Sequence, residues 1–154
     1  MGSLFFDTSA LAKRYVYETG SEWISGFFDE EAKESIYIAE ITTVELTSAV
    51  VRRSNTGSIP RADVSSILAS FDRHLLTDYF VLEMTSEVLL DARSIIRKHG
   101  LRSYDAVQLA IAEKFNLNKI EAGESIVTFV SADIDLLSAA NSDGLLTEKN
   151  KRPH

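Results

Sequence analysis

A chain of 154 residues is the size of one domain and long enough to bury a core of its own. Hydrophobic residues at 45% and charged residues at 25% exclude disordered and membrane classes, and the lack of cysteine excludes a disulfide framework or a thiolate zinc site. Sixteen basic against 23 acidic residues leave a net charge of −7, so nucleic acid would be met through a local basic patch or a bridging cation, not through the field of the whole molecule.

In chain order, residues 4–6 form the first short strand candidate, ended by Asp7, and a helix is expected from about Thr8. Asp7 cuts that apolar run after three residues and no basic leader precedes it, so a secretory signal is not expected and the setting is read as cytoplasmic, without a membrane segment. Residues 21–28 read as a short helix and 36–39 as a strand. Residues 41–53 are helical, with Ile41, Val44, Ala49 and Val51, and Arg52 and Arg53 in the last turn. Residues 54–61 are a turn-rich connector. Residues 62–76 carry Val64, Ile67, Leu68, Phe71 and Leu75 at helical spacing, followed by a strand at 80–83. Helices are expected over 86–98, closing at His99-Gly100, and over 104–115. A polar loop at 116–125, a strand at 126–130 and a short helix at 134–140 complete residues 1–147. Residues 148–154 read as a charged, frayed tail. Strands alternating with helices predict an α/β domain with a central, mainly parallel sheet.

Four carboxylates mark element boundaries: Asp7 and Asp133 beyond two strands, Glu45 and Asp105 in the first turns of two helices. Ligands in open α/β sheets bind outside the carboxyl ends of the strands, which would bring Asp7 and Asp133 together. Each acid also has a structural reading. Asp7 and Asp133 suit helix N-caps, Thr42-Thr43-Val44-Glu45 has capping-box spacing, and Asp105 suits a helix dipole. Taken jointly, two carboxylates about 4 Å apart repel by roughly 4 kcal/mol at an effective dielectric of 20, so four in one crevice require a cation. Hard oxygen ligands suit Mg²⁺ or Mn²⁺. Histidine occurs only at 74, 99 and 154, outside all four boundaries; His74 reads as helix surface and His99 as a helix end. Lys13, Arg14, Arg52, Arg53 and Arg102 are the candidate phosphate contacts. Tyr15 and Tyr104 could stack on a base, although a structural role is the plainer reading for both.

These phrases resemble a known family. Leu4-Phe5-Phe6-Asp7-Thr8-Ser9-Ala10-Leu11 is similar to the first strand and helix of PIN domains, especially the VapC-type toxins of toxin–antitoxin pairs. Thr42-Thr43-Val44-Glu45-Leu46, Ser103-Tyr104-Asp105-Ala106-Val107 and Val130-Ser131-Ala132-Asp133 resemble its further acidic motifs, in family order. The last has Ser131 where Thr is commoner. The resemblance implies a three-layer α/β/α PIN-like fold and a metal-dependent endoribonuclease that hydrolyses RNA phosphodiester bonds. In it Asp7, Glu45, Asp105 and Asp133 would hold one or two Mg²⁺ or Mn²⁺ ions. Asp135 is a possible fifth acid, and Ser9 a hydrogen-bonding companion. It also implies a small antitoxin partner and a homodimer. The rivals are a catalytically silent PIN-like scaffold and another Mg²⁺-dependent α/β phosphohydrolase. A dehalogenase-like phosphatase would need Asp-x-Asp where Asp7-Thr8-Ser9 stands.

Overall fold

The computed structural model describes residues 2–149. Five strands, β1 (Ser3–Phe6), β2 (Ser35–Ala39), β3 (Tyr79–Leu82), β4 (Thr128–Ser131) and β5 (Leu146–Lys149), make one sheet in the order β3-β2-β1-β4-β5. All four pairings are parallel. Seven α-helices join them: α1 (Thr8–Tyr15), α2 (Ser21–Gly26), α3 (Ile41–Asn55), α4 (Val64–Thr77), α5 (Ser86–His99), α6 (Ser103–Glu121) and α7 (Ile134–Ser142).

Side chains alternate across β1, and the alternation builds two cores. Leu4 and Phe6 turn to one face, with Leu11, Leu46 and Phe71 of α1, α3 and α4. Phe5 turns to the other, with Phe129, Val88, Leu109 and Leu136 under α5, α6 and α7. A central parallel strand buried on both faces reads as an unbroken apolar run, which is why Leu4-Phe5-Phe6 shows no polar alternation. The result is the expected three-layer α/β/α domain. The chain leaves β1 toward β2 and β3 on one side, then returns to β4 and β5 on the other. The order therefore switches between β1 and β4, where an open α/β sheet splits into a crevice.

The structure departs from the sequence reading at three places. The loop expected over 116–125 is half helix, because α6 runs on to Glu121. Asn116, which reads as a loop residue, is buried and accepts a hydrogen bond from Val127 N at 2.8 Å, tying the helix to the approach of β4. Lys119 holds the last turn through Glu124 at 2.6 Å and the rings of Phe115 and Tyr37. The tail expected from 148 begins instead inside β5, an edge strand with one neighbour and little need for an apolar pattern; residues 150–154 lie outside the described residues. The helix expected from 62 starts as a 3-10 turn, Arg61–Asp63, before α4.

One polar junction ties α5, α6 and α7. Asp143, at the C-cap of α7, accepts from Lys98 Nζ at 2.7 Å and from His99 Nε2 at 2.9 Å. Glu113 of α6 faces it. Burial, reinforced by the bond to Asp143, raises the Glu113 carboxyl to about 8. Asp143 is held down to about 2, the bonds it accepts outweighing its own burial. A raised folded-state carboxyl favours the fold below its unfolded value and stops doing so as pH rises through about 8. The Asp143 contribution is present above its ordinary 3.8 and lost only as pH falls through about 2. The pair therefore contributes most near pH 4, and the Glu113 share falls as pH rises from 4.5 to about 8. The expected result is that the melting temperature falls between about pH 5 and about pH 8, and that Glu113→Gln, which stays neutral, flattens that decline. Parallel melting curves for the two proteins across this range would refute the shared-proton account.

Candidate functional site

The four predicted acids line one cavity of about 500 Å³ at the carboxyl ends of β1 and β4. Asp7 arrives directly from β1, its backbone N donating to Val130 O of β4 at 3.2 Å. It caps α1, accepting from Ala10 N at 2.9 Å through Oδ1. Ser9 Oγ lies within 2.9 Å of both carboxylate oxygens, and Ser131 Oγ donates to Oδ2 at 2.6 Å. Asp7 is only 3% exposed, and burial pushes its carboxyl up to about 6 despite those three donors.

Asp133 follows β4 and caps α7, its Oδ1 accepting from Asp135 N at 2.9 Å and Leu136 N at 3.2 Å. Asp105 stands in the first turn of α6 and caps nothing. Its position follows from Gly100, whose φ of 69° ends α5 in the left-handed region and lets the chain turn straight into α6. Burial raises the Asp105 carboxyl, and the charges of Asp133 and Glu45 raise it further against the opposing Arg102.

Glu45 departs from its structural reading. The helix begins at Ile41 with Glu40 as N-cap, so Glu45 lies in the second turn and no capping box forms. Its Oε1 accepts instead from Thr8 Oγ1 at 2.9 Å and from Gln108 Nε2 at 2.8 Å. Among the described residues nothing donates to its Oε2, nor to Oδ2 of Asp133. Three of the four acids thus keep at least one oxygen unengaged by hydrogen bonds, counting Asp105, whose nearest cation is Arg102 Nε at 3.9 Å.

Asp135 opens onto an adjoining cavity of about 380 Å³, which shares Asp105, Asp133 and Arg102 with the first. Of the five candidate phosphate contacts, only Arg102 lines the acidic cavity. Lys13 is buried against Thr19 O and Glu18. Arg14 is locked between Asp78 at 2.8 Å, the Tyr79 hydroxyl at 2.7 Å and the face of Phe28. Arg53 pairs with Glu18 at 2.5 Å, and Arg52 is exposed on the last turn of α3. Tyr15 is bound to His74 and to the Tyr79 hydroxyl, as a structural tyrosine should be. Tyr104 is exposed on the cavity instead. His74 and His99 are engaged with Tyr15 and Asp143 and do not line the acidic cavity.

Sequence reasoning missed the polar layer beneath the acids: Thr8, Thr42, Gln108 and Ser131. Spacing held the signal for two pairs, since Thr42 precedes Glu45 by three residues and Gln108 follows Asp105 by three, one helical turn in each case.

A family model for the PIN domain matches residues 4–140. The chain belongs to the PIN domain family. A curated relative, ribonuclease VapC3 of Pyrobaculum aerophilum, is 29% identical over 114 residues, 72% of this chain and 82% of that protein. Among solved structures, VapC20 of Mycobacterium tuberculosis, a toxin that cleaves the sarcin–ricin loop, has a TM-score of 0.65 at 16% identity, covering 97% of this chain and 99% of its own. A toxin–antitoxin complex from Klebsiella pneumoniae has a TM-score of 0.63 at 11% identity, covering 97% and 99%. At these identities the structural likeness speaks for the PIN fold. The acids of the cavity must be argued from their own geometry.

Proposed function

We propose that this PIN domain is a Mg²⁺- or Mn²⁺-dependent endoribonuclease, the toxin of a VapBC-like pair, with Asp7, Glu45, Asp105 and Asp133 as its metal-holding residues. The observation that carries the reading is the placement of all four acids on one cavity at the switch point of the sheet, two of them capping no helix. A fold needs Asp7 and Asp133 for its helices. It has no such need of Glu45 and Asp105, whose charges raise the cost of the cluster.

The donor set fits a hard divalent ion: every charged ligand candidate is a carboxylate, with no thiolate or imidazole on the cavity. Among the described residues no three acidic or imidazole side chains stand close enough together to hold a metal ion by themselves. An open acidic cavity suits Mg²⁺ in particular, which keeps several waters and is typically held by one or two carboxylates together with substrate phosphate. Asp105, which caps nothing, and Glu45 and Asp133, each with one oxygen that accepts no hydrogen bond among the described residues, would be the principal holders. A cation bound there would activate a water and neutralise the scissile phosphate. Ser9, Ser131 and Ala10 N keep Asp7 oriented, while the N-terminus of α7 does the same for Asp133. Arg102 and Tyr104, both exposed beside Asp105, are placed to meet a phosphate and a base of single-stranded RNA.

By likeness to VapC3, a ribonuclease, and to the Klebsiella pneumoniae toxin–antitoxin complex, the proposed partners are RNA and an antitoxin; a second copy of the chain and a cytoplasmic setting are proposed on the motif resemblance alone. No helix among the described residues is long and apolar enough to cross a membrane. The test is cleavage of a mixed RNA pool with Mn²⁺, with EDTA, and by Asp105→Asn. Cleavage by the wild type with Mn²⁺ only, and a loss on the order of 10³-fold in the variant at unchanged folding, is the expected result. A well-folded Asp105→Asn that still cleaves in a Mg²⁺-dependent way would sink the assignment. A wild type inert with either ion would favour the scaffold reading.

A further inference from the structure

Gln108 sits one turn beyond Asp105 on α6, is only 2% exposed, and has no place among the proposed ligands. Its Nε2 lies 2.8 Å from Glu45 Oε1, 2.8 Å from Thr42 Oγ1 and 3.1 Å from Thr8 Oγ1. One amide of α6 thereby reaches α1 and α3 together, at the floor of the acidic cavity. The Thr8 hydroxyl donates to the same Glu45 oxygen at 2.9 Å.

The other end of that amide is more telling. Gln108 Oε1 is buried with no hydrogen-bond partner among the described residues. Turning the amide over would bring this oxygen to two hydroxyls that can donate, satisfying it. It would also set oxygen against the Glu45 carboxylate and withdraw the N–H. A buried acceptor without a partner is unfavourable, and native interiors rarely keep one. Here it persists because the alternative leaves a carboxylate facing a like dipole.

We infer that Gln108 is the positioning residue for Glu45, fixing which carboxylate oxygen that acid presents to a cation. Two donors, from Gln108 and Thr8, occupy the lone-pair directions of Oε1. Oε2, to which nothing among the described residues donates, is the oxygen left for the cavity. Glu45 therefore binds through one oxygen. This inference rests on the cation-dependent reading of the site given above, and the test separates the two.

The probe is Mn²⁺ alone, without RNA, with the free ion counted by electron paramagnetic resonance. Gln108→Met keeps the length and flexibility of the side chain and removes both the N–H and the orphan oxygen. It is expected to melt within a few degrees of the wild type and to bind Mn²⁺ about 10–100-fold more weakly, the range for an outer-shell partner of a ligand. A purely structural role would move the melting temperature and leave Mn²⁺ affinity alone. Equal Mn²⁺ affinity in a folded Gln108→Met overturns the inference while leaving the nuclease reading intact. A wild type that takes up no Mn²⁺ and cleaves no RNA with it overturns the nuclease reading and the inference with it. Should Gln108→Met fail to fold, the side-chain amide resonances of Gln108 in the wild type decide. They should shift on titration with Mg²⁺, and signals that stay fixed while backbone amides around Asp105 move overturn the inference.

Discussion

Asp7→Asn is expected to abolish cleavage and, at the same time, to make the protein more stable at neutral pH. Asp7 is 3% exposed and its carboxyl is pushed up to about 6 by burial. A raised folded-state value means that the carboxyl favours the fold below its ordinary 3.8 and loses that contribution as pH rises through about 6. Above that point the protein carries an ionised group it would hold more comfortably as an acid, at about 1.4 kcal/mol per unit of displacement. Asparagine keeps the acceptor that Ala10 N needs and can exchange hydrogen bonds with the Ser9 and Ser131 hydroxyls, which donate or accept as required. The gain should be about 2–3 kcal/mol at pH 7.5, or roughly 4–10 °C in melting temperature for a domain of this size. Wild type and variant should melt together near pH 4 and separate through pH 6. A variant no more stable than the wild type at pH 7.5 would refute the account of Asp7 as a strained, functionally retained acid. Saturating Mg²⁺ should close part of the gap, because an ion bound only by the folded wild type stabilises it by mass action.

The largest loss of stability should come from Phe129→Ala. Phe129 is fully buried in the middle of β4 and stacks on Phe5 with ring centroids 5.5 Å apart. The pair joins the two strands that flank the switch point and fills the core under α6 and α7. Truncating a buried phenylalanine costs about 3–5 kcal/mol, a large share of the ~5–15 kcal/mol that holds a domain together. Thermal melting should drop by roughly 6–20 °C. Because β4 also delivers Ser131 and Asp133 to the cavity, activity should fall even at temperatures where the variant remains folded. A loss below ~1 kcal/mol would mean that the two-sided core is less continuous than the packing indicates.

The strands near the site were legible because a parallel strand buried on both faces has to be a largely apolar run, and Leu4-Phe5-Phe6 and residues 126–130 could be little else. Boundary acids were equally legible, since a charge ends such a run abruptly. β5 was not: among the described residues, Leu146-Thr147-Glu148-Lys149 pairs on one side only, so it needs no apolar run and the pattern matches a tail. Asn116 misled in the opposite direction, because a residue typical of loops is here the buried acceptor that docks a helix onto a strand. The acids themselves could be named from sequence, but the layer that aims them could not. Thr8, Thr42 and Gln108 meet one another, and Ser131 meets Asp7, across separations of 34 to 124 residues, and no local period encodes such meetings.

Asp7 and Asp133 hold two posts each, as helix caps and as walls of the cavity, whereas Glu45 and Asp105 hold one. The difference bears on how a descendant of this protein would decay. A copy released from selection for cleavage would still be under pressure to keep a side chain that caps α1 and α7, so aspartate, or the shorter serine, would persist at 7 and 133. Glu45 and Asp105 would drift first, toward residues that no longer repel their neighbours. The presence of all four acids is therefore uneven testimony. On the proposed reading, Glu45 and Asp105 are the positions whose loss would mark a chain no longer used as a nuclease, and a relative that keeps only 7 and 133 would have kept its architecture alone.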